Sequence, residues 1–61
     1  LKNRIKELRI QRGLSVQELA KKVGISRSYL WKLENEGGGS TKLHVRIAAE
    51  LGVTLNDIFF K

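Results

Sequence analysis

The sequence predicts a compact all-α domain of five short helices. Three observations predict it. Proline is absent from the 61 residues, and strong helix formers dominate. One start signal recurs along the chain: an apolar residue, a hydroxyl cap, an acid three residues later and a further apolar residue. Between these signals the apolar residues fall three and four apart, which puts them on one face of a helix.

The first helix is placed over 2–12, with Leu1, Ile5 and Leu8 on one face, and Gly13 ends it by accepting a left-handed backbone. The stretch Leu14-Ser15-Val16-Gln17-Glu18-Leu19 starts the second helix, over 16–23. Ser15 is its cap, Glu18 closes a capping box, and Leu14 with Leu19 forms a hydrophobic staple. Val16, Leu19, Ala20 and Val23 are its buried face. Ile25-Ser26-Arg27-Ser28-Tyr29-Leu30 has the cap and staple without the acid and starts a third helix over 27–35, which buries Leu30 and Leu33. A fourth helix over 41–51 offers Leu43, Ile47, Ala48 and Leu51, and Gly52 caps it. Val53-Thr54-Leu55-Asn56-Asp57-Ile58 repeats the start scheme, with Asp in the acid position, and opens a short fifth helix over 55–60. No internal repeat and no long linker divides the chain, so residues 1–61 form a single domain.

Composition narrows the function. The chain has no cysteine, so disulfides and thiolate metal sites are excluded, and the single His44 cannot build a zinc site alone. The apolar runs are only a few residues long and no signal peptide is visible, so the expectation is a soluble cytoplasmic protein with no membrane role. The carboxylates are scattered over helix starts and ends, and no histidine–carboxylate constellation has a readable spacing. An enzyme is therefore not expected, nor any cofactor or small-molecule ligand. The net charge is +6, and Lys2, Arg4, Lys6, Arg9 and Arg12 against Glu7 place +4 of it within residues 1–12. Such a balance suits a polyanion partner, and equally a basic face kept for solubility.

The stretch "SVQELAKKVGISRSYLWKLEN" (15–35) is the most informative. It reads as two helices joined by a turn of about four residues around Gly24, which sets them at a steep angle. Gly24 supplies the backbone conformation the turn needs. Ala20 allows close approach, and Leu19, Val23, Ile25, Leu30 and Leu33 fill the angle. One face of the third helix is left open to enter a major groove.

These residues resemble the Cro/phage-repressor type of helix-turn-helix domain, the XRE family with its lambda-repressor-like fold. The resemblance covers nearly the whole chain, in "NRIKELRIQRGLS", "ELAKKVGISRSYLWKLEN" and "IAAELGVTLNDIF". It implies a DNA-reading unit made of the second and third helices. Base contacts then fall to Arg27, Ser28 and Lys32, with Arg27 and Lys32 suited to guanine O6 and N7. Asn35 and the Tyr29 hydroxyl fall on the phosphate backbone, while the Tyr29 ring is also placed to be partly buried. Trp31 has two readings, packing at the helix edge or touching sugar and a thymine methyl. Arg9 and Glu34 match a pair that forms a buried ion bridge between the first and third helices.

Three positions depart from the family pattern. Val16 stands where relatives carry a DNA-contacting glutamine, and Gln17, one position later, is the substitute contact. His44 stands at a usually apolar position and is read as a packing residue. The stretch "ENEGGGSTK" (34–42) replaces a basic loop that grips phosphate. Its glycines either end the third helix and turn the chain, or let backbone N–H groups around Ser40 and Thr41 bind a phosphate, or stand in as a flexible linker. "GGGSTK" lacks the spacing and the preceding strand of a P-loop.

The function expected from the resemblance is a double-stranded-DNA-binding transcriptional regulator, a repressor occupying its operator as a homodimer. The alternative is an antitoxin or protein-interaction module on the same fold. Ile58, Phe59 and Phe60 form a row that cannot all face one core, and they are the candidate dimer surface or the contact to a further domain.

Overall fold

A computed structural model describes residues 3–59 of the chain. The helices are α1 (Ile5–Gln11), α2 (Val16–Val23), α3 (Arg27–Glu36), α4 (Thr41–Leu51) and α5 (Leu55–Phe59). All but one of the helix ends lie within a residue of those the sequence predicts. The exception is the start of α1. The sequence runs this helix from residue 2, but Asn3 turns inward and is 7 % exposed. Its Oδ1 accepts from the Ile5 N–H at 3.0 Å and its Nδ2 donates to the Leu33 carbonyl at 2.8 Å. One side chain thus starts α1 and ties it to α3. Leu1, expected on the core face, lies outside the described residues.

The cap signals act as read. Ser15 Oγ accepts from the Glu18 N–H at 3.0 Å, and Glu18 Oε1 accepts from the Ser15 N–H at 2.8 Å. Thr54 and Asp57 repeat the arrangement at 3.1 and 2.9 Å. Ser26 and Ser40 cap α3 and α4 through the Tyr29 and Leu43 N–H groups. The N–H of Ser15 holds the Glu18 carboxyl below its ordinary pKa, helped by the Ser15 hydroxyl, and Thr54 does the same for Asp57.

All five helices supply the core: Ile5 and Leu8 from α1, Leu19, Ala20 and Val23 from α2, Leu30 and Leu33 from α3, Ile47, Ala48 and Leu51 from α4, and Ile58 from α5. Burying each of the larger side chains contributes about 1.5–3 kcal/mol. Val16 and Leu43, expected inside, are only partly buried at the core's edge. Both stand near the start of their helix, where the stripe runs out toward solvent.

Polar anchors close the assembly. Arg9 and Glu34 pair at 2.7 Å (Nε–Oε2) and 3.3 Å (Nη2–Oε1), and both residues are buried. The remaining Arg9 nitrogen donates to the Leu14 carbonyl at 2.8 Å, so one guanidinium joins α1, α3 and the loop before α2. Arg4 donates to the Asp57 carbonyl at 3.0 Å and pairs with Glu7 at 3.2 Å, a contact that raises its pKa further. Arg12 Nε donates to the Leu51 carbonyl at 2.8 Å, at the end of α4 where carbonyls lack helical partners. His44 is buried as a packing residue. Its ring lies 4.9 Å from that of Phe59, Nδ1 meets the Ser40 carbonyl at 2.8 Å, and Nε2 has no partner among the described residues.

Gly37, Gly38 and Gly39 all adopt positive φ, at 84°, 89° and 89°. The Gly37 N–H closes α3 onto the Leu33 carbonyl at 3.2 Å. The run therefore ends α3 and turns the chain, along a path that side-chain-bearing residues follow only under strain. A Cβ on Gly39 would lie 2.8 Å from Leu33 Cδ2 and 3.2 Å from His44 Cε1, so a side chain there would require the core residue Leu33 to move.

Candidate nucleic-acid interface

The turn between α2 and α3 follows from three residues. Gly24 closes α2 in the left-handed region, with φ 87° and ψ 31°. The N–H groups of Gly24 and Ile25 both donate to the Ala20 carbonyl, at 2.8 and 3.0 Å. Ala20 is buried, and the lack of a larger side chain there lets α3 pack directly on α2. In α3, Leu30, Leu33 and Glu34 then point inward, while Arg27, Ser28, Trp31, Lys32 and Asn35 are exposed.

The outward face is polar and cationic at its N-terminal end. No acid lies in the first turn of α3. Among the described residues, Arg27, Ser28 and Lys32 make no side-chain hydrogen bond or ion pair. Arg27 sits at the junction of two shallow depressions. One is shared with Gln17, Ala20, Lys21 and Ile25, the other with Val16, Ser28 and Trp31. The fold thus brings Gln17 onto the same surface as Arg27. Lys21 belongs there too, and the sequence reading missed it. Its signal was its position four residues after Gln17, on the same face of α2.

The other predicted contacts are placed less simply. Tyr29 is 40 % exposed and Trp31 54 %, so neither aromatic ring is absorbed by the core. Asn35 is exposed, but its Nδ2 donates to the Trp31 carbonyl at 2.8 Å. Ser40 and Thr41 open α4, where the Ser40 hydroxyl oxygen already accepts from Leu43. The N–H groups of the first turn of α4 lack helical partners by geometry, and of these the Leu43 N–H is taken up by the Ser40 cap. Of the two acids in "ENE", Glu34 is buried against Arg9, and only Glu36 is exposed.

One expectation is corrected. Ile58, expected on the dimer surface, is fully buried in the core and leaves no surface for a partner to touch. Phe59 is 41 % exposed with its ring against His44, and Phe60 lies outside the described residues. In the basic first segment Arg4, Arg9 and Arg12 each donate to acceptors within the fold, while Lys6 stays exposed and Lys2 lies outside the described residues. Among the described residues no group of carboxylates and histidine could hold a metal, and no helix is long and apolar enough to cross a membrane.

The pattern that defines a helix-turn-helix domain family matches residues 3–60. A curated relative, an uncharacterized HTH-type transcriptional regulator of Methanocaldococcus jannaschii, is 38 % identical over 60 residues, covering 97 % of this chain and 91 % of the relative. Among solved structures, SinR, a master regulator for biofilm formation, in complex with DNA superposes with a TM-score of 0.81 at 34 % identity, covering 87 % of each chain. SinR in its complex with SinI gives 0.80 at the same 34 % identity, with 87 % of this chain and 53 % of the other covered. The clp gene regulator ClgR from Corynebacterium glutamicum gives 0.81 at 28 % identity, over 87 % of this chain and 57 % of that one.

Proposed function

The chain belongs to the helix-turn-helix domain family of Cro/phage-repressor type, a family of DNA-binding regulators rather than enzymes, and from that membership we propose that it is a sequence-specific repressor acting by operator occupancy. The observation that carries this reading is the N-terminal face of α3, where Arg27, Ser28 and Lys32 stand exposed without internal partners. Cations left unpaired on a helix that projects from the fold suit the bidentate acceptors of guanine in a major groove. In this reading Arg27, Ser28 and Lys32 contact bases. Gln17, Tyr29 and Asn35 contact the phosphate backbone, and the backbone N–H groups around Ser40 and Thr41 hold a further phosphate. Two copies, joined through the Phe59 and Phe60 end, place their reading helices roughly 34 Å apart on one face of the duplex.

The competing reading is a protein-interaction module. Exposed Glu36 in place of a basic loop favours it, and so does the likeness to SinR in a complex with another protein. Binding to random duplex DNA across a salt series separates the two. The repressor reading expects binding at low salt that weakens linearly on a log–log scale. No binding even at low salt would overturn it. Selection from a random duplex pool then tests the dimer, which expects a palindromic consensus with half-sites one helical turn apart.

A further inference from the structure

The cleft formed by Val16, Arg27, Ser28 and Trp31 carries a more specific inference, which rests on the DNA-binding reading above. Val16 is the first residue of α2 and only partly buried, while Trp31 is more than half exposed on α3. They are the two apolar residues lining a small notch. Arg27 and Ser28 stand at its rim without internal partners, and Gln17 and Lys21 adjoin Arg27 on the other side.

The occupant must meet three conditions. It must be small and apolar, because neither wall offers a partner to a donor or an acceptor, apart from an indole N–H that can donate. It must lie beside a group that Arg27 and Ser28 can hydrogen-bond. And it must belong to an anionic molecule, because Arg27 lines the notch, Lys21 adjoins Arg27 in the next depression, and no acid lines either. On the major-groove edges of the four base pairs, one group is apolar: the C5-methyl of thymine. We propose that Val16 and Trp31 form a thymine-methyl reader. They pack on the C5-methyl of a thymine adjacent to the base that Arg27 contacts, so that Val16 determines sequence specificity where a hydrogen-bonding residue would only have held phosphate.

The test uses the best duplex selected from a random pool, remade with deoxyuridine replacing thymidine at one position at a time. Uracil keeps the pairing and loses only the methyl. One position per half-site is expected to lose about fourfold in affinity, which at about 1.4 kcal/mol per tenfold is about 0.8 kcal/mol, the burial of one methyl-sized group. In Val16→Ser that loss disappears, and in Val16→Ile it is retained. A duplex bound tightly by the native chain, yet indifferent to uracil at every position, overturns the inference and leaves the DNA-binding reading standing. A uracil effect that persists undiminished in Val16→Ser also overturns it. Failure of both the native chain and the variants to bind any duplex at low salt overturns the reading on which it rests.

Discussion

The first helix and the reading helix use positive charge in opposite ways. The segment around α1 is the more basic, yet Arg4, Arg9 and Arg12 all close hydrogen bonds within the fold. In α3, Arg27 and Lys32 are fewer and make no such bonds among the described residues. The lesson is that charge density does not locate an interface. What narrows the search is which cations stay unpaired together with where the fold sets them, since Lys6, Lys22, Lys42 and Arg46 are exposed as well. The same holds for acids: Glu34 belongs to the interior and Glu36 to the surface, though they stand two residues apart.

The largest effect that would break this comparison is at the buried pair. Glu34→Ala leaves the Arg9 guanidinium buried with only the Leu14 carbonyl as a partner, and is expected to cost about 3–5 kcal/mol in urea unfolding. In a domain this small that is a large part of the total stability. Replacing both partners by apolar residues, as in Arg9→Met with Glu34→Leu, should restore most of the loss without changing DNA affinity per folded molecule. A cost below about 1 kcal/mol for Glu34→Ala would mean that the charge of α1 is not structural, in the range of surface pairs.

Arg27→Ala is the mirror image. Stability should stay within about 0.5 kcal/mol, since no internal contact is lost. Affinity for the selected duplex should fall by about 1–3 kcal/mol, with relaxed preference at one base pair. Selection repeated on the variant checks both, and an unchanged consensus would count against a base-reading role for Arg27.

The next contrast is smaller. Arg12→Ala removes a charged hydrogen bond to the Leu51 carbonyl, and about 1 kcal/mol of stability should go with it, the side chain being solvent-exposed. The salt dependence of DNA binding should not change. Lys32→Ala should do the reverse: no stability change, and a log–log salt slope flatter by about 0.9 if Lys32 neutralises a phosphate, or a lost base preference if it reads guanine. Both variants need only a melt and a salt titration. An Arg12 variant with a flattened slope would return α1 to the interface.

Most of the fold was legible in the sequence because its helix starts rest on local chemistry. A hydroxyl, an acid three residues on and flanking apolar residues specify a cap with no tertiary information, and Ser15, Ser26 and Thr54 act as read. The misses share a cause. Asn3 bonds to Leu33 across thirty positions, and nothing near Asn3 announces that. The arginines of α1 look like any surface cations until their distant carbonyl acceptors are known. Ile58 and Phe59 are adjacent apolar residues with no spacing to tell which faces inward. Lys21 and the Val16–Trp31 notch required two helices to be set at their angle. The glycine turn was legible only as alternatives, because three positive φ angles and the packing of Gly39 on Leu33 are properties of the assembled chain.

The smallest expected effect extends the comparison to acids and to pH. The carboxylates of Glu18 and Asp57 face the backbone of their own helix starts, and both have pKa values below the ordinary 4.5 and 3.8. A carboxyl held lower in the folded chain than in the unfolded one binds fewer protons when folded as pH falls through that range. Its contribution is therefore complete above the ordinary values and is lost progressively as pH drops through the depressed ones. The melting temperature should thus stay level with respect to these two groups above about pH 5 and decline below about pH 4. Glu18→Gln with Asp57→Asn keeps hydrogen-bond acceptors at both caps and should flatten that acid limb. Ser15→Ala removes one acceptor outright and should cost about 1 kcal/mol at neutral pH. A double amide variant whose acid limb is as steep as the native one would show that the decline does not come from these two caps.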